Sequence, residues 1–141
     1  LRQSYYCAEV IDASLKLCNV FKINDEELPV LSRLLKIPVD EKTAARELIW
    51  LYGLKLVAVT KGGRGTALYS PQGSSEHPGY KVKVADTVGA GDSFTAAMTL
   101  GLLKDFDLEK INDCANRVSS FVCTQSGATP DIPDELKGLF N

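Results

Sequence analysis

Apolar positions recur first at helical spacing and then in short strand-like runs, and the two patterns alternate down the chain. Ala8, Val10, Ile11, Leu15 and Leu17 predict a helix over residues 8–18. Val20, Phe21, Lys22 and Ile23, ending in Asn24, form a short apolar run that suits a buried strand. Leu28, Leu31, Leu34 and Leu35 return to helical spacing. Asp40 then caps a helix running to Leu51, and Gly53 terminates it. A core strand is predicted over residues 54–60, a turn over residues 62–65 and a strand over residues 66–69, followed by a turn at Pro71, Gln72 and Gly73. Tyr80, Val82 and Val84 alternate with lysines, the period-two signature of a strand with one wet face. An Ala-rich apolar helix follows over residues 94–103. Asp107 caps a last helix with Leu108, Ile111, Ala115, Val118 and Val122 on one stripe, broken at Gly127-Ala128-Thr129-Pro130.

Helices interleaved with core strands give the α/β class. Four strands are visible, fewer than the roughly 5–6 of a typical sheet. The chain opens at Leu1 rather than Met, directly before a helical segment, which suggests a piece of a longer chain. A hydrophobic content of 45% and a charged content of 24% are those of an ordinary soluble domain, and 141 residues suffice for one core. The net charge is −2 with no basic stripe, against a nucleic-acid groove or an anionic membrane surface, both of which require one. No apolar run reaches the length of a membrane span, and no signal peptide is evident. Cys7, Cys18, Cys114 and Cys123 form no C-x-x-C pair, and His77 is the one histidine. Buried free thiols in a reducing, cytoplasmic compartment are expected, rather than zinc ligands or disulfides.

Residues 86–94, Asp-Thr-Val-Gly-Ala-Gly-Asp-Ser-Phe, carry the richest chemistry. They join a strand to a helix through residues small enough for a ligand to approach the backbone. Unpaired amides of Gly89, Ala90, Gly91 and Asp92 at the helix start, with the helix dipole behind them, make a site for an anion. A carboxylate there would repel a phosphate unless it has another task. Asp92 could accept the proton of an attacking hydroxyl, or it could simply cap the helix. No G-x-x-x-x-G-K-[ST] occurs, and Phe94 stands where G-x-G-x-x-G needs its third glycine.

The nine residues 86–94 resemble the second signature of the ribokinase family, the phosphofructokinase-B type of carbohydrate kinases. Three weaker features follow the family's order, so that the resemblance covers nearly the whole chain. Asn24 through Glu27 resembles the family's N-x-x-E motif, which places Mg²⁺ through ordered water; the same spacing is a helix capping box. Thr60, Lys61 and Gly62 through Gly65 resemble the strand-end loop beside the ATP ribose and phosphates, although a plain β-turn has the same composition. Asn116 matches the adenine-side position on the last helix. Asp86, with carbonyls near Val88, Val122, Gln125 and Gly127, matches a monovalent cation site. Val88 stands where other members have Thr or Ala, and Asp131 where some have a hydroxyl ligand, which bears on whether K⁺ activates. Leu1-Arg2-Gln3 is similar to the strand end found in many fructokinase-like members.

The resemblance implies a ribokinase-like, Rossmann-like α/β/α fold, here its C-terminal, nucleotide-binding half, without the N-terminal sugar-binding and lid portion. It further implies phosphoryl transfer from ATP to a sugar hydroxyl with Mg²⁺, and K⁺ as a further cation. Asp92 would be the base, and the amides of residues 89–92 the anion hole. The partners would be ATP and a small sugar, in a full-length homodimer. Fructose is the leading acceptor. Ribose, 2-keto-3-deoxygluconate or a nucleoside, and a non-catalytic nucleotide-binding module, are the alternatives.

Overall fold

The computed structural model describes residues 6–141, so the reading of Leu1-Arg2-Gln3 lies outside the described residues. In chain order the elements are α1 (Ala8–Leu17), β1 (Val20–Asn24), α2 (Leu28–Leu35), α3 (Glu41–Tyr52), β2 (Leu56–Thr60), β3 (Thr66–Ser70), β4 (Gly73–His77), α4 (Ala90–Leu103), α5 (Leu108–Cys123) and α6 (Asp134–Lys137). Single 3₁₀ turns cover Gly62–Arg64 and Gly138–Phe140. The four strands form one sheet in the order β1-β2-β3-β4, in which β1 and β2 are parallel with Asn24 opposite Thr60. β3 and β4 are joined by Pro71 and Gln72 alone, a connection open only to antiparallel neighbours. No helix among the described residues is long and apolar enough to cross a membrane.

The described residues divide into two compact units, the first comprising residues 6–61 and 68–74, the second residues 62–67 and 75–141. In the first unit every β2 residue from Leu56 to Val59 is buried, together with Leu15, Ile23, Leu28, Leu31, Ala44, Ala45 and Leu48. A strand buried on both faces reads as a continuous apolar run, as this one does. The Asp40 side chain accepts from the Thr43 amide at 3.0 Å, and Gly53 ends α3 at φ +65°. Both capping expectations therefore stand.

In the second unit α4 and α5 pack against each other. Phe94, Ala97, Met98 and Gly101 of α4 and Ile111, Ala115, Val118 and Val122 of α5 are buried. A Cβ on Gly101 would lie 3.0 Å from Ile111 Cγ1, so the glycine lets the helices cross closely. The Asp107 cap on α5 is present, accepting from the Lys110 amide at 2.8 Å.

The strand expected around Tyr80, Val82 and Val84 is absent. Residues 80–84 carry no strand and are exposed, and the fourth strand is the hairpin partner β4. Alternation in sequence forms a strand only where a neighbouring strand supplies hydrogen bonds, and β4 lies beside β3 despite its polar sequence. The cysteines also depart in part from expectation: all four are free, but only Cys114 is buried and Cys7 is exposed. Trp50 is 77% exposed.

Asn112 and Asn116, one turn apart on α5, are buried inside this unit. The Asn112 side-chain oxygen accepts from the Thr66 hydroxyl and, at 3.0 Å, from the Asn116 amide. Its own amide donates to the Ser75 carbonyl at 3.1 Å. One fully satisfied side chain thus ties α5 to the first residue of β3 and the middle of β4. Asn112→Ala strands these partners in the interior and is expected to cost about 3 kcal/mol, measured by urea unfolding. A loss below about 1 kcal/mol would mean the network is not holding the strands.

Candidate functional site

The glycine-rich segment lies in the second unit and begins α4. Gly89 is the N-cap at φ +81°, a conformation that disfavours any residue with a side chain. A Cβ placed there would fall 2.4 Å from the Ala128 carbonyl oxygen and 2.9 Å from Ala128 Cα. Gly89 therefore meets both demands at once, an unusual backbone angle and contact with a neighbouring backbone.

Asp92 stands in the first turn of α4 and is exposed. It is not the cap; that position belongs to Gly89. Among the described residues its carboxylate has no hydrogen-bond or ion-pair partner. The capping alternative for Asp92 is thereby removed. Of the four amides expected to be open, Ala90 donates weakly to the Thr87 carbonyl at 3.3 Å. Those of Gly89, Gly91 and Asp92 have no backbone acceptor among the described residues. The start of this 14-residue helix therefore keeps amide donors to spare, the kind of helix end at which anions can bind.

Asp86 joins this segment to the loop after α5. Its carboxylate accepts from the Val88 amide at 3.0 Å and from the Gly127 amide at 3.3 Å. Those two hydrogen bonds, Val88 first, hold its pKa below the ordinary carboxylate value. The Asp86 amide and that of Ala85 both donate to the Cys123 carbonyl, next to Val122 and short of Gln125. Asp86, Val88, Val122, Gln125 and Gly127 thus gather around two facing turns.

Asn116 is 4% exposed, and its amide donates to Thr66 at 2.7 Å and to the Asn112 carbonyl at 2.8 Å. Its donors are committed inside the unit. Gly62 and Gly65 hold positive φ in the turn after β2, and Gly65 is buried.

Asn24, Glu27, Thr60 and Lys61 lie in the first unit. The Asn24 side-chain oxygen accepts from the Glu27 amide at 2.7 Å, and Glu27 accepts from the Asn24 amide at 3.2 Å. That reciprocal pair is the capping box. Parallel pairing brings Asn24 beside Thr60, whose carbonyl accepts from the Asp25 amide at 3.0 Å. Both strands end there, at the carboxyl edge where open α/β sheets bind ligands. Lys61 is neither a loose turn residue nor free to swing. Its ammonium lies 2.8 Å from Glu41, which also accepts from the Tyr69 hydroxyl at 2.7 Å. Glu41 and Asn112 were missed from the sequence. For Asn112 a signal existed, a polar residue beside the apolar stripe of α5, one turn before Asn116.

Residues 1–135 match the model of the pfkB family carbohydrate kinases. The chain belongs to this family. Fructokinase-2 of Zea mays is 31% identical over 125 residues, covering 84% of this chain and 36% of the maize protein. Among solved structures, phosphofructokinase-2 of Escherichia coli in complex with potassium is 28% identical with a TM-score of 0.79, covering 95% of this chain and 44% of its own. The nucleoside kinase of Methanocaldococcus jannaschii, an archaeal member of the ribokinase family, is also 28% identical with a TM-score of 0.79, over 96% and 44%. The α/β, ribokinase-like fold expected from the sequence is the fold observed. The chain spans 36% of the maize relative's length and 44% of each of the two solved structures.

Two outcomes follow from the pfkB segment's geometry. Gly89→Ala must strain the backbone and push Ala128 away, for a loss of about 3 kcal/mol in chemical unfolding; a variant as stable as wild type would refute the close approach. Asp86 has a depressed folded pKa, so its contribution is full above its unfolded value, near pH 4, and is lost as pH falls through the folded value. Asp86→Ala should accordingly flatten the fall in stability below about pH 4 seen in wild type, and an unchanged acid limb would count against the two hydrogen bonds.

Proposed function

We propose that the protein transfers the γ-phosphoryl group of ATP to a hydroxyl of a small sugar, with these residues forming the nucleotide side and the base. The observation that carries this is Asp92: an exposed carboxylate with no partner among the described residues, in the same helical turn as the open Gly91 and Asp92 amides. A base must be free to take a proton, and an anion hole must have donors to spare. Asp92 accepts the proton of the attacking hydroxyl as the new P–O bond forms and the bond from the γ-phosphorus to its bridging oxygen breaks, with ADP leaving. The Gly89, Gly91 and Asp92 amides offset charge on the transferring group, and Ala90 joins them by releasing its long bond to Thr87. Positioning and electrostatics account for most of the rate in such transfers.

Mg²⁺, if bound, would screen the charge of the phosphates. The hard oxygens of Asn24 and Glu27 suit it, and because the capping box already engages both, they would hold it through water. Thr60, Lys61, Gly62 and Gly65 frame the nucleotide at the strand ends; Asn116 contributes by fixing Thr66, the residue after the turn. The facing turns held by Asp86 suit a monovalent cation, with carbonyls near Val88, Val122, Gln125 and Gly127 as ligands and Asp86 as the fixed negative charge. The relation to maize fructokinase-2 favours fructose as acceptor. Free cysteines suit a reducing compartment such as the cytoplasm.

Asp92→Asn in the full-length protein is expected to lower kcat by at least about 10²-fold while leaving the Kd for MgATP within about twofold. A variant turning over at the wild-type rate would remove Asp92 from the mechanism. The 141 residues alone should bind nucleotide without phosphorylating sugar; efficient Mg²⁺-dependent sugar phosphorylation by them would show that the acceptor site is contained here.

A further inference from the structure

On the outer side of α5, Asp113 gathers three side chains that the proposed chemistry leaves unused. Its carboxylate accepts from the Tyr80 hydroxyl through Oδ1 and from Arg117 Nε through Oδ2 at 2.8 Å. His77 Nε2 lies 3.5 Å from the same Oδ1. The His77 and Tyr80 rings sit 5.1 Å apart, and the Arg117 guanidinium covers the Tyr80 ring. On its other edge His77 Nδ1 accepts from the Gly79 amide at 3.0 Å, which fixes the ring and leaves Nε2 facing Asp113. Residues 77–80, the segment between β4 and the glycine-rich signature, are thus fastened to α5 at both ends by one carboxylate.

That segment lies directly on the turn after β2. A Cβ on Gly65 would be 1.9 Å from the His77 carbonyl oxygen and 2.5 Å from the Gly79 nitrogen. A Cβ on Gly79 would be 3.2 Å from Gly65 Cα and 3.6 Å from the Gly63 carbonyl oxygen. Backbone meets backbone with no side chain between, so a displacement of residues 77–80 bears directly on residues 63–65.

We infer that Asp113 is a positioning residue for nucleotide binding: through Tyr80 and His77 it holds residues 77–80 against Gly63 and Gly65, and so sets the shape of the turn that faces ATP. The inference rests on the proposed role of residues 60–65 at the nucleotide. Asp113 itself touches neither substrate nor reacting atoms. Because the turn meets ATP and not the sugar, its misplacement should appear in nucleotide affinity and leave the chemical step and the sugar largely alone.

The test is steady-state kinetics of the full-length protein, with ATP and sugar varied separately, alongside hydrogen exchange at residues 63–66. Asp113→Ala is expected to raise the KM for ATP about tenfold with kcat and the KM for sugar within about twofold, and to speed exchange at residues 63–66. Asp113→Asn, which retains an acceptor for Tyr80, should fall between it and wild type. Tyr80→Phe removes one exposed hydroxyl and serves if Asp113→Ala does not fold; it too should raise the KM for ATP. A wild-type protein that fails to use ATP would overturn the nucleotide assignment itself. A wild-type protein that saturates with ATP, beside folded variants of unchanged KM and unchanged exchange, would overturn the role of Asp113 alone.

Discussion

Between Gly89 and Ala128 there is no room for a side chain, and the start of α4 depends on that contact. The Ala128 carbonyl oxygen occupies the space a Cβ would take, and the left-handed φ of Gly89 turns the chain from the exposed segment before it into the helix. Because Gly89 closes the helix end without a side chain, no hydroxyl or carboxylate fills the amides beyond it. Asp92, three residues on, is thereby spared from capping. The same backbone feature both opens the donors and frees the acceptor, two requirements of phosphoryl transfer.

Ala128 is held in turn. Asp86, just before the signature, accepts from Gly127, so the residues on either side of the Gly89–Ala128 contact are joined by a charge-assisted hydrogen bond. Within the second unit α5 links these pieces. Its end carries the Cys123 carbonyl that receives two amides from residues 85 and 86, and its middle carries Asn112 and Asn116, which hold Thr66 and Ser75. Asp113, about 100° around the helix from Asn112 and on the side away from the apolar stripe, holds residues 77–80. Three polar positions on one helix thus serve different backbone segments, while the apolar stripe beside them packs on α4.

Features decided by local chemistry were legible in the sequence. Asp40, Gly53 and Asp107 cap where they were expected, since a cap needs only its own few residues. Continuous burial identified β2, and the nine residues of the signature identified the family. Partners distant along the chain were not legible. Lys61 pairs with Glu41 twenty positions earlier, and no local pattern announces that. β4, Gly-Ser-Ser-Glu-His, has no apolar signal and is a strand because β3 lies beside it, whereas Tyr80, Val82 and Val84 have the signal and no strand neighbour. Tyr80 is instead used through its hydroxyl. Asp92 shows the same divide: its residue type allowed a cap, and only the fold shows that Gly89 holds that position instead.

The central claim is that the open amides at the start of α4 receive the γ-phosphate. Amide resonances of ¹⁵N-labelled full-length protein, followed through titration with MgATP and separately with MgADP, address it most directly. The account predicts that the Gly91 and Asp92 amides move on saturation with ATP and move clearly less with ADP, which lacks the γ-phosphate. Saturation by ATP with both amides remaining at their ADP-bound positions would contradict it.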